Sequence, residues 1–199
     1  MIPVSCRILS VGAKEGKTPL VVITALTDDK KQKYVISEGT YREIGCPLSG
    51  EEINSENLYT LVFEDEKRRA LQKSLNILTF ADNNKRALTQ KLLRAGFSRD
   101  AIDCAIRECV ILGYVDEDRQ AEHLVMKYAS ELLGPYKIAA KLRAKYYPSS
   151  AVTRAMRRLE ERGEIDFKKN RSELLSQKLG DGASYDEKMK LLYKYGYLK

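Results

Sequence analysis

Tryptophan is absent from this 199-residue chain, histidine occurs once and cysteine four times. A single imidazole, His123, makes Ser-His and Cys-His nucleophile pairs difficult to build. The four cysteines are irregularly spaced and form no CxxC pair, so neither a tetrahedral zinc site nor a disulfide framework is indicated. We therefore expect no catalytic residues, no metal and no cofactor, and we predict that the protein is not an enzyme.

Long apolar runs are also absent. No window approaches the roughly 20 apolar residues that a membrane-spanning helix needs, and the segment 1–4 lacks the basic and apolar regions of a signal peptide. We therefore expect a cytoplasmic protein that does not contact a membrane. Charged residues make up 32% of the chain, which, with the lack of tryptophan, favours amphipathic helices.

One segment resembles a phosphate-binding loop without matching its spacing. Residues 12–18 read Gly-Ala-Lys-Glu-Gly-Lys-Thr, with three residues between the glycines where a Walker motif has four. Pro19 and a β-type run follow where that motif requires a helix. We interpret the segment as a hairpin loop.

Positive charge is concentrated in the later part of the chain. Residues 1–66 contain 7 Lys/Arg and 11 Asp/Glu (−4), whereas residues 67–199 contain 28 and 17 (+11), which together give the net charge of +7. Residues 136–171 alone contain 11 Lys/Arg and 4 Asp/Glu, again +7. Such an excess attracts a polyanion or an acidic groove. The alternative is that these residues only solvate helix surfaces.

The beginning of the chain predicts a small β-containing subdomain. Three β-type runs and a short helix are expected, at residues 4–11, 20–26, 32–37 and 39–44. A long helix should then begin at Asn54 or Ser55 as N-cap and end near Phe80. The run 58–63 would also suit a strand, but the helix formers that follow it favour a helix.

An internal repeat of 50 residues organises the rest of the chain. A shift of 50 aligns Leu92 with Leu142 and Gly113 with Gly163, and a shift of 100 adds Leu192. Eight helices are predicted, at residues 67–82, 84–95, 98–112, 117–133, 135–146, 149–162, 167–179 and 185–195. The aligned columns also supply the expected caps and helix-ending glycines, namely Asn84, Gly134, Ser184, Asp116, Asp166, Gly113 and Gly163.

One column departs from the repeat. Tyr146 occupies the position of Gly96 and Gly196, so we expect another geometry at that helix end. The overall prediction is a mainly α fold of tandem three-helix repeats stacked into an elongated curved array, with a small β-containing N-terminal subdomain. The predicted divisions are residues 1–54, 55–116, 117–166 and 167–199, the last being a third repeat that ends before its third helix.

Basic residues of the second repeat form the candidate binding face, because spacings of three and four place several of them on shared helix faces. They are Lys137, Lys141, Arg143, Lys145, Arg154, Arg157, Arg158 and Arg162. The first repeat adds Lys91 and Arg94. The interleaved tyrosines, Tyr136, Tyr146 and Tyr147, are expected in the core rather than as base-stacking platforms.

These columns resemble the RecX family of recombination regulators. The residues that carry the resemblance are Lys91-Leu92, Gly96-Phe97, Leu112-Gly113-Tyr114-Val115-Asp116, Gly134-Pro135, Lys141-Leu142 and Tyr195-Gly196-Tyr197. The resemblance covers about residues 67–199, and the β-containing head looks like that of the longer members. This chain departs from the family by ending soon after Tyr197.

The resemblance implies three tandem repeats that lodge in the helical groove of a RecA recombinase filament on single-stranded DNA. Members of the family inhibit the ATPase and strand exchange of the recombinase, regulate recombination and DNA repair, and are not enzymes. The implied partners are therefore the recombinase filament and single-stranded DNA. We expect the protein to act as a monomer.

Two other interpretations stay open from the sequence. A helix-turn-helix DNA-binding protein is the first, because three short helices with basic residues on the last one can mimic that module. A reader of base sequence would prefer one duplex site at fixed salt, whereas a filament regulator would not. The second is a protein scaffold that binds neither DNA nor a recombinase.

Overall fold

The computed structural model describes residues 5–15, 19–27, 29–180 and 182–199. The strands in this part of the chain are β1 (Ser5–Lys14), β2 (Leu20–Thr27), β3 (Lys30–Ser37) and β4 (Glu52–Asn54). The helices are α1 (Glu38–Glu43), α2 (Ser55–Phe80), α3 (Lys85–Arg94), α4 (Arg99–Ile111), α5 (Glu117–Ser130), α6 (Pro135–Ala144), α7 (Ser149–Glu161), α8 (Phe167–Lys178) and α9 (Tyr185–Tyr195). The predicted mainly helical fold with a small N-terminal sheet is confirmed.

The chain divides into two compact units. The first contains Met1–Asn76 and Lys91–Cys109, and the second contains Ile77–Gln90 and Val110–Lys199. The divisions at residues 54, 116 and 166, which rest on the sequence repeat, stay a prediction. The predicted strand start at Val4, residues 16–18 of the predicted hairpin loop and Asp28 lie outside the described residues. The loop prediction was wrong for residues 12–14, which continue β1 and pair with β2.

The first unit is built around a four-stranded antiparallel sheet with the strand order β3-β2-β1-β4. Its core consists of alternating strand residues and one residue of α2, among them Ile8, Ile23, Ile36 and Leu58, each fully buried. The sequence did not predict β4. This strand is three residues long with one apolar side chain, and it pairs only with Ser5–Arg7, so it offers no alternation to detect.

A buried carboxylate joins the sheet to α2. The side chain of Asp65 accepts hydrogen bonds from Ser37 Oγ at 2.6 Å and Thr40 Oγ1 at 2.9 Å, and Arg69 Nε lies 2.6 Å from its other oxygen. The Arg69 guanidinium also donates to the carbonyl oxygen of Val35 in β3. Burial alone would raise the pKa of Asp65, but the hydrogen bonds from Ser37, Arg69 and Thr40 outweigh it and lower the pKa below its ordinary value.

The predicted repeat is visible in the helices of both units. Every helix from α3 to α9 begins and ends within three residues of its predicted bounds. The shared apolar columns are buried in each copy; for example, Leu92, Leu142 and Leu192 are no more than 1% exposed. In the second unit these columns form one core between α5, α6 and α7, together with Ile165 and Tyr147.

The predicted N-caps are confirmed. Asn84 Oδ1 accepts from the backbone N–H of Ala87 at 2.8 Å, and the side chains of Asp116 and Asp166 accept from the first turns of α5 and α8. Ser184 and Glu187 form the predicted capping box at α9. Gly134, in the column of Asn84 and Ser184, begins α6 without a side-chain cap, and Pro135 follows it as the first helical residue.

The expectation of a different helix end at Tyr146 is wrong. Tyr146 adopts a left-handed φ of 68°, close to the φ of 88° at Gly96 and 80° at Gly196. The residue after each of them donates a backbone hydrogen bond back to the aligned leucine, as Tyr147 does to Leu142 at 3.0 Å. The repeat therefore imposes one C-terminal geometry even where the residue is not glycine.

Candidate nucleic-acid interface

The basic residues of the second repeat fall into three groups, which differ in what their charged ends contact. One group lies on α7 and pairs with carboxylates of α5. Another lies on α6 and packs against neighbouring parts of the second unit. The last group consists of side chains that have no partner, or one weak partner, among the described residues.

An alternating ladder of charges joins α5 and α7. Asp118 lies between Arg154, at 2.8 Å, and Arg158, at 3.4 Å. Glu122 lies between Arg158, at 3.4 Å, and Arg162, at 2.7 Å, and Arg162 also contacts Glu164. The ladder arises because the arginines and the two carboxylates of α5 each recur every four residues, which keeps each set on one helix face.

The ladder holds its carboxylates in the charged form. Hydrogen bonds from Arg154 lower the pKa of Asp118, and hydrogen bonds from Arg162 lower the pKa of Glu122. The arginine side chains are nevertheless 43–49% exposed. Exposed pairs of this kind contribute about 0.2–1 kcal/mol each, so a competing anion can replace them.

Two lysines of α6 are partly used by the fold. Lys137 Nζ donates to the carbonyl oxygen of Lys194 at 2.7 Å. Lys141 Nζ lies 4.7 Å from the centre of the Tyr128 ring, a cation–π contact. These two lysines therefore contribute to packing within the second unit as well as to its surface charge.

The remaining candidates are the most available cations. Arg143 and Lys145 are exposed, and their side chains have no partner among the described residues. Arg157 is 67% exposed and lies 3.7 Å from Glu161, a distance typical of a weak pair. Lys91 and Arg94, which lie in the first unit, are likewise exposed without a side-chain partner in the described ranges.

Only one of the three interleaved tyrosines is in the core as expected. Tyr147 is 6% exposed, its hydroxyl donates to Gln120 Oε1 at 3.2 Å, and burial raises its pKa to about 12. The expectation was wrong for Tyr136 and Tyr146, which are 51% and 41% exposed. Tyr136 is the second residue of α6, and Tyr146 follows the C-cap of that helix with a left-handed φ of 68°.

Two junctions between successive repeats use the same columns within the second unit. At the later junction, Gly134 N–H donates to the carbonyl oxygen of Tyr195 at 2.8 Å, and Tyr136 N–H donates to that of Gly196 at 3.1 Å. A Cβ added at Gly134 would lie 2.4 Å from the Gly196 oxygen. This junction is closed by direct backbone contact, which only glycine permits.

The earlier junction is closed by side chains instead. Asn84, aligned with Gly134, donates through Nδ2 to the carbonyl oxygen of Lys145 at 2.6 Å. Arg86, aligned with Tyr136, places its guanidinium carbon 4.9 Å from the centre of the Tyr146 ring. A cavity of about 300 Å³ lies beside these residues, lined in part by His123 and Tyr147. The two junctions therefore align in sequence but are closed by different groups.

The carboxylates that pair with the α7 arginines were not predicted from the sequence. Asp118 and Glu122 are four residues apart on α5, a spacing that could have indicated an acidic row on one face. Their partners, however, lie 36 and 40 residues away in sequence. His123 is exposed on α5.

The described residues hold neither a metal-binding cluster nor a membrane-spanning helix. No group of three or more His, Cys, Asp or Glu side chains in those ranges could hold a metal ion. None of the helices in that part of the chain is both long and apolar enough to cross a membrane.

Comparison with known proteins supports the resemblance seen in the sequence. No protein-family model matches the chain. The regulatory protein RecX of Stenotrophomonas maltophilia strain K279a is 28% identical over 116 residues, which cover 58% of this chain and 69% of that protein. The regulatory protein RecX of Xanthomonas campestris pv. campestris strain B100 is 27% identical over 121 residues, which cover 61% of this chain and 72% of that protein.

The chain is a relative of the RecX regulatory proteins. A crystal structure of a regulatory protein RecX shares its fold with a TM-score of 0.56 and 16% identity, over 97% of this chain and 95% of that one. The fold likeness therefore includes the β-containing head of this RecX relative as well as its helical repeats. The predicted resemblance to RecX is confirmed.

Proposed function

We propose that this RecX relative binds a RecA-type recombinase filament on single-stranded DNA and lowers its ATPase and strand-exchange activity. In this way it regulates recombination and DNA repair in the cytoplasm, as a monomer and without catalytic chemistry of its own. The observation that carries the proposal is the similarity to proteins named regulatory protein RecX, extending over about 70% of their length.

The charge distribution of the second unit supports the proposal. Arg143, Lys145 and Arg157 present guanidinium and ammonium groups to solvent with at most one weak partner among the described residues. Cations of this kind attract DNA phosphates and release counterions, which makes the binding weaker as salt rises. Lys91 and Arg94 supply further candidate contacts on the first unit.

The ladder between α5 and α7 has a different part in the proposal. Arg154, Arg158 and Arg162 are held in place by carboxylates in the free protein, so they are preorganised rather than flexible. A phosphate or a carboxylate of the filament then exchanges with Asp118 or Glu122 at small cost, because the pairs are exposed. The ladder thereby lowers the affinity for a random polyanion without removing the site.

The test is DNA-dependent ATP hydrolysis by the cognate recombinase, with this protein added at substoichiometric and equimolar ratios. We expect hydrolysis to fall with the wild-type protein. The double variant Arg143→Glu/Lys145→Glu should require about tenfold more protein for the same inhibition, because two phosphate contacts become repulsive. Both side chains are unpaired, so the melting temperature should not change.

The matched control is Lys30→Glu/Lys31→Glu, which makes the same change in net charge on exposed residues of β3. This control should inhibit as the wild type does. Unchanged hydrolysis at equimolar wild-type protein would contradict the proposed function. A strong preference for one duplex sequence at fixed salt would instead favour the helix-turn-helix alternative.

A further inference from the structure

Tyr146 is an aromatic residue at a position where the repeat otherwise uses glycine. Its φ of 68° is unfavourable for a bulky side chain and costs about 1 kcal/mol or more relative to glycine. In the next repeat the aligned Gly196 is required, because an added Cβ would lie 2.4 Å from the Cβ of Lys137. No such contact excludes a side chain at position 146, so this junction has room for a ring.

The ring of Tyr146 makes a cation–π contact with Arg86. The guanidinium carbon of Arg86 lies 4.9 Å from the ring centre, and both residues are exposed. An aromatic ring paired with a guanidinium plane is a surface on which unpaired bases stack. The tyrosine is 41% exposed, whereas the adjacent Tyr147 is buried and its hydroxyl is bonded to Gln120.

The cations near Tyr146 are available to an anion. Arg143 and Lys145 precede Tyr146 in sequence, and their side chains have no partner among the described residues. Lys145 and Tyr146 line the same cavity of about 300 Å³, together with uncharged side chains and one carboxylate, Asp82. Because the lysine and the ring line one cavity, a base against Tyr146 brings a neighbouring phosphate close to Lys145.

We propose that Tyr146 and Arg86 form a stacking platform for one base of single-stranded nucleic acid, with the neighbouring phosphates on Lys145 and Arg143. The assignment deepens the proposed function, on which it rests, by naming the site that contacts the DNA strand. Single-stranded nucleic acid is favoured over duplex because only an unpaired base exposes a face for stacking. It is favoured over an acidic peptide because a peptide would leave the platform unused.

The experiment measures binding of fluorescein-labelled dT20 by fluorescence anisotropy as a function of salt, with no recombinase present. Tyr146→Gly should weaken binding about tenfold without changing the dependence on salt, since it removes stacking and no charge. It should also keep or raise the melting temperature, because glycine relieves the left-handed strain. If the ring only stabilised the junction between the repeats, Tyr146→Gly would lower the melting temperature.

Three more variants complete the test. Tyr146→Phe should bind as the wild type does, since it keeps the ring. Tyr146→Asn should bind as weakly as the glycine variant, because asparagine tolerates the left-handed conformation but has no aromatic face. Lys145→Gln should flatten the salt dependence by about 0.7, the slope of one phosphate contact on a single strand.

A direct readout comes from dT20 that carries 5-iodouracil. Photo-crosslinking of the wild-type protein should attach the oligonucleotide to the tryptic peptide 146–154. Wild-type affinity in a folded glycine or asparagine variant, or no binding of dT20 by the wild type, would overturn the platform. If the wild type inhibits the recombinase but the glycine variant binds dT20 as tightly as the wild type, the stacking platform is contradicted. The proposed function is not contradicted by that result.

Discussion

Arginine–carboxylate pairs occur in both compact units, and they differ in burial. In the first unit the carboxylate of Asp65 is 2% exposed and bonded to Arg69, Ser37 and Thr40. In the second unit Asp118 and Glu122 are 36% and 19% exposed and lie in an open ladder with α7. The comparison teaches that burial decides whether an ion pair belongs to the fold or is available for exchange with a ligand.

The physical reason is the cost of leaving a charge without its partner. Removing one member of a buried pair leaves polar groups unpaired in a poorly solvated place, which costs about 3–5 kcal/mol. Removing one member of an exposed pair leaves a charge that water solvates, which costs about 1 kcal/mol or less. An arginine–carboxylate pair therefore stabilises the packing of the sheet in the first unit, whereas in the second unit such pairs mainly set the charge of the surface.

The largest expected effect comes from the buried pair. Asp65→Asn should lower the free energy of unfolding by about 3 kcal/mol at pH 7, because an amide cannot replace the charged acceptor of Arg69, Ser37 and Thr40. Urea denaturation followed by circular dichroism measures the change. Glu64→Gln, next to it on α2 but exposed, is the control and should cost less than about 0.5 kcal/mol. Equal losses of stability in Asp65→Asn and Glu64→Gln would contradict the claim that burial makes the Asp65 pair important for the fold.

An intermediate effect is expected from pH. The pKa of Asp65 is lower in the folded chain than the ordinary value near 4 that it has when unfolded. The unfolded state therefore binds the proton first, and stability that is present above about pH 4 is lost as the pH falls through the folded pKa. The wild type should lose more stability than Asp65→Asn between pH 5 and about pH 2. Parallel curves for the two proteins would contradict this account of the pair.

The smallest effect on stability is expected from the ladder. Asp118→Asn/Glu122→Gln should change the free energy of unfolding by less than about 1 kcal/mol, since the arginines of the ladder are 43–49% exposed and water screens its pairs. Binding of dT20 should nevertheless tighten, and its salt dependence should steepen by about 0.7 for each arginine that gains a phosphate. A large loss of stability with unchanged DNA binding would show that the ladder belongs to the fold, as the Asp65 pair does.

Local physics made much of this molecule predictable from its sequence. N-caps such as Asn84 and Ser184 and helix-ending glycines such as Gly113 satisfy backbone groups within a few residues, so their sequence signals are short. The apolar columns follow helical spacing and repeat every 50 residues. These features predicted the number and order of the helices from α3 to α9 and their bounds to within three residues. The binding role of the basic residues in the second repeat stays a prediction.

What the sequence could not predict depends on distant partners. Asp65 lies in an acidic run, Glu64-Asp65-Glu66, that resembles a solvated helix face, and only its contacts to Ser37 and Thr40 reveal it as buried. The arginines of α7 resemble a bare basic face until α5 is placed beside them. Tyr146 departs from the glycine column, but the hydrogen bonds of the shared helix end retain the left-handed backbone.

The central claim is that the second repeat contacts a recombinase filament through its unpaired cations. The most direct measurement places a photoreactive benzophenone amino acid at Arg143, and in a control protein at Lys31, and illuminates each with the recombinase–single-stranded DNA filament. The account predicts covalent adducts with recombinase or DNA from position 143 and few from position 31. Adducts from position 31 but none from position 143 would contradict it.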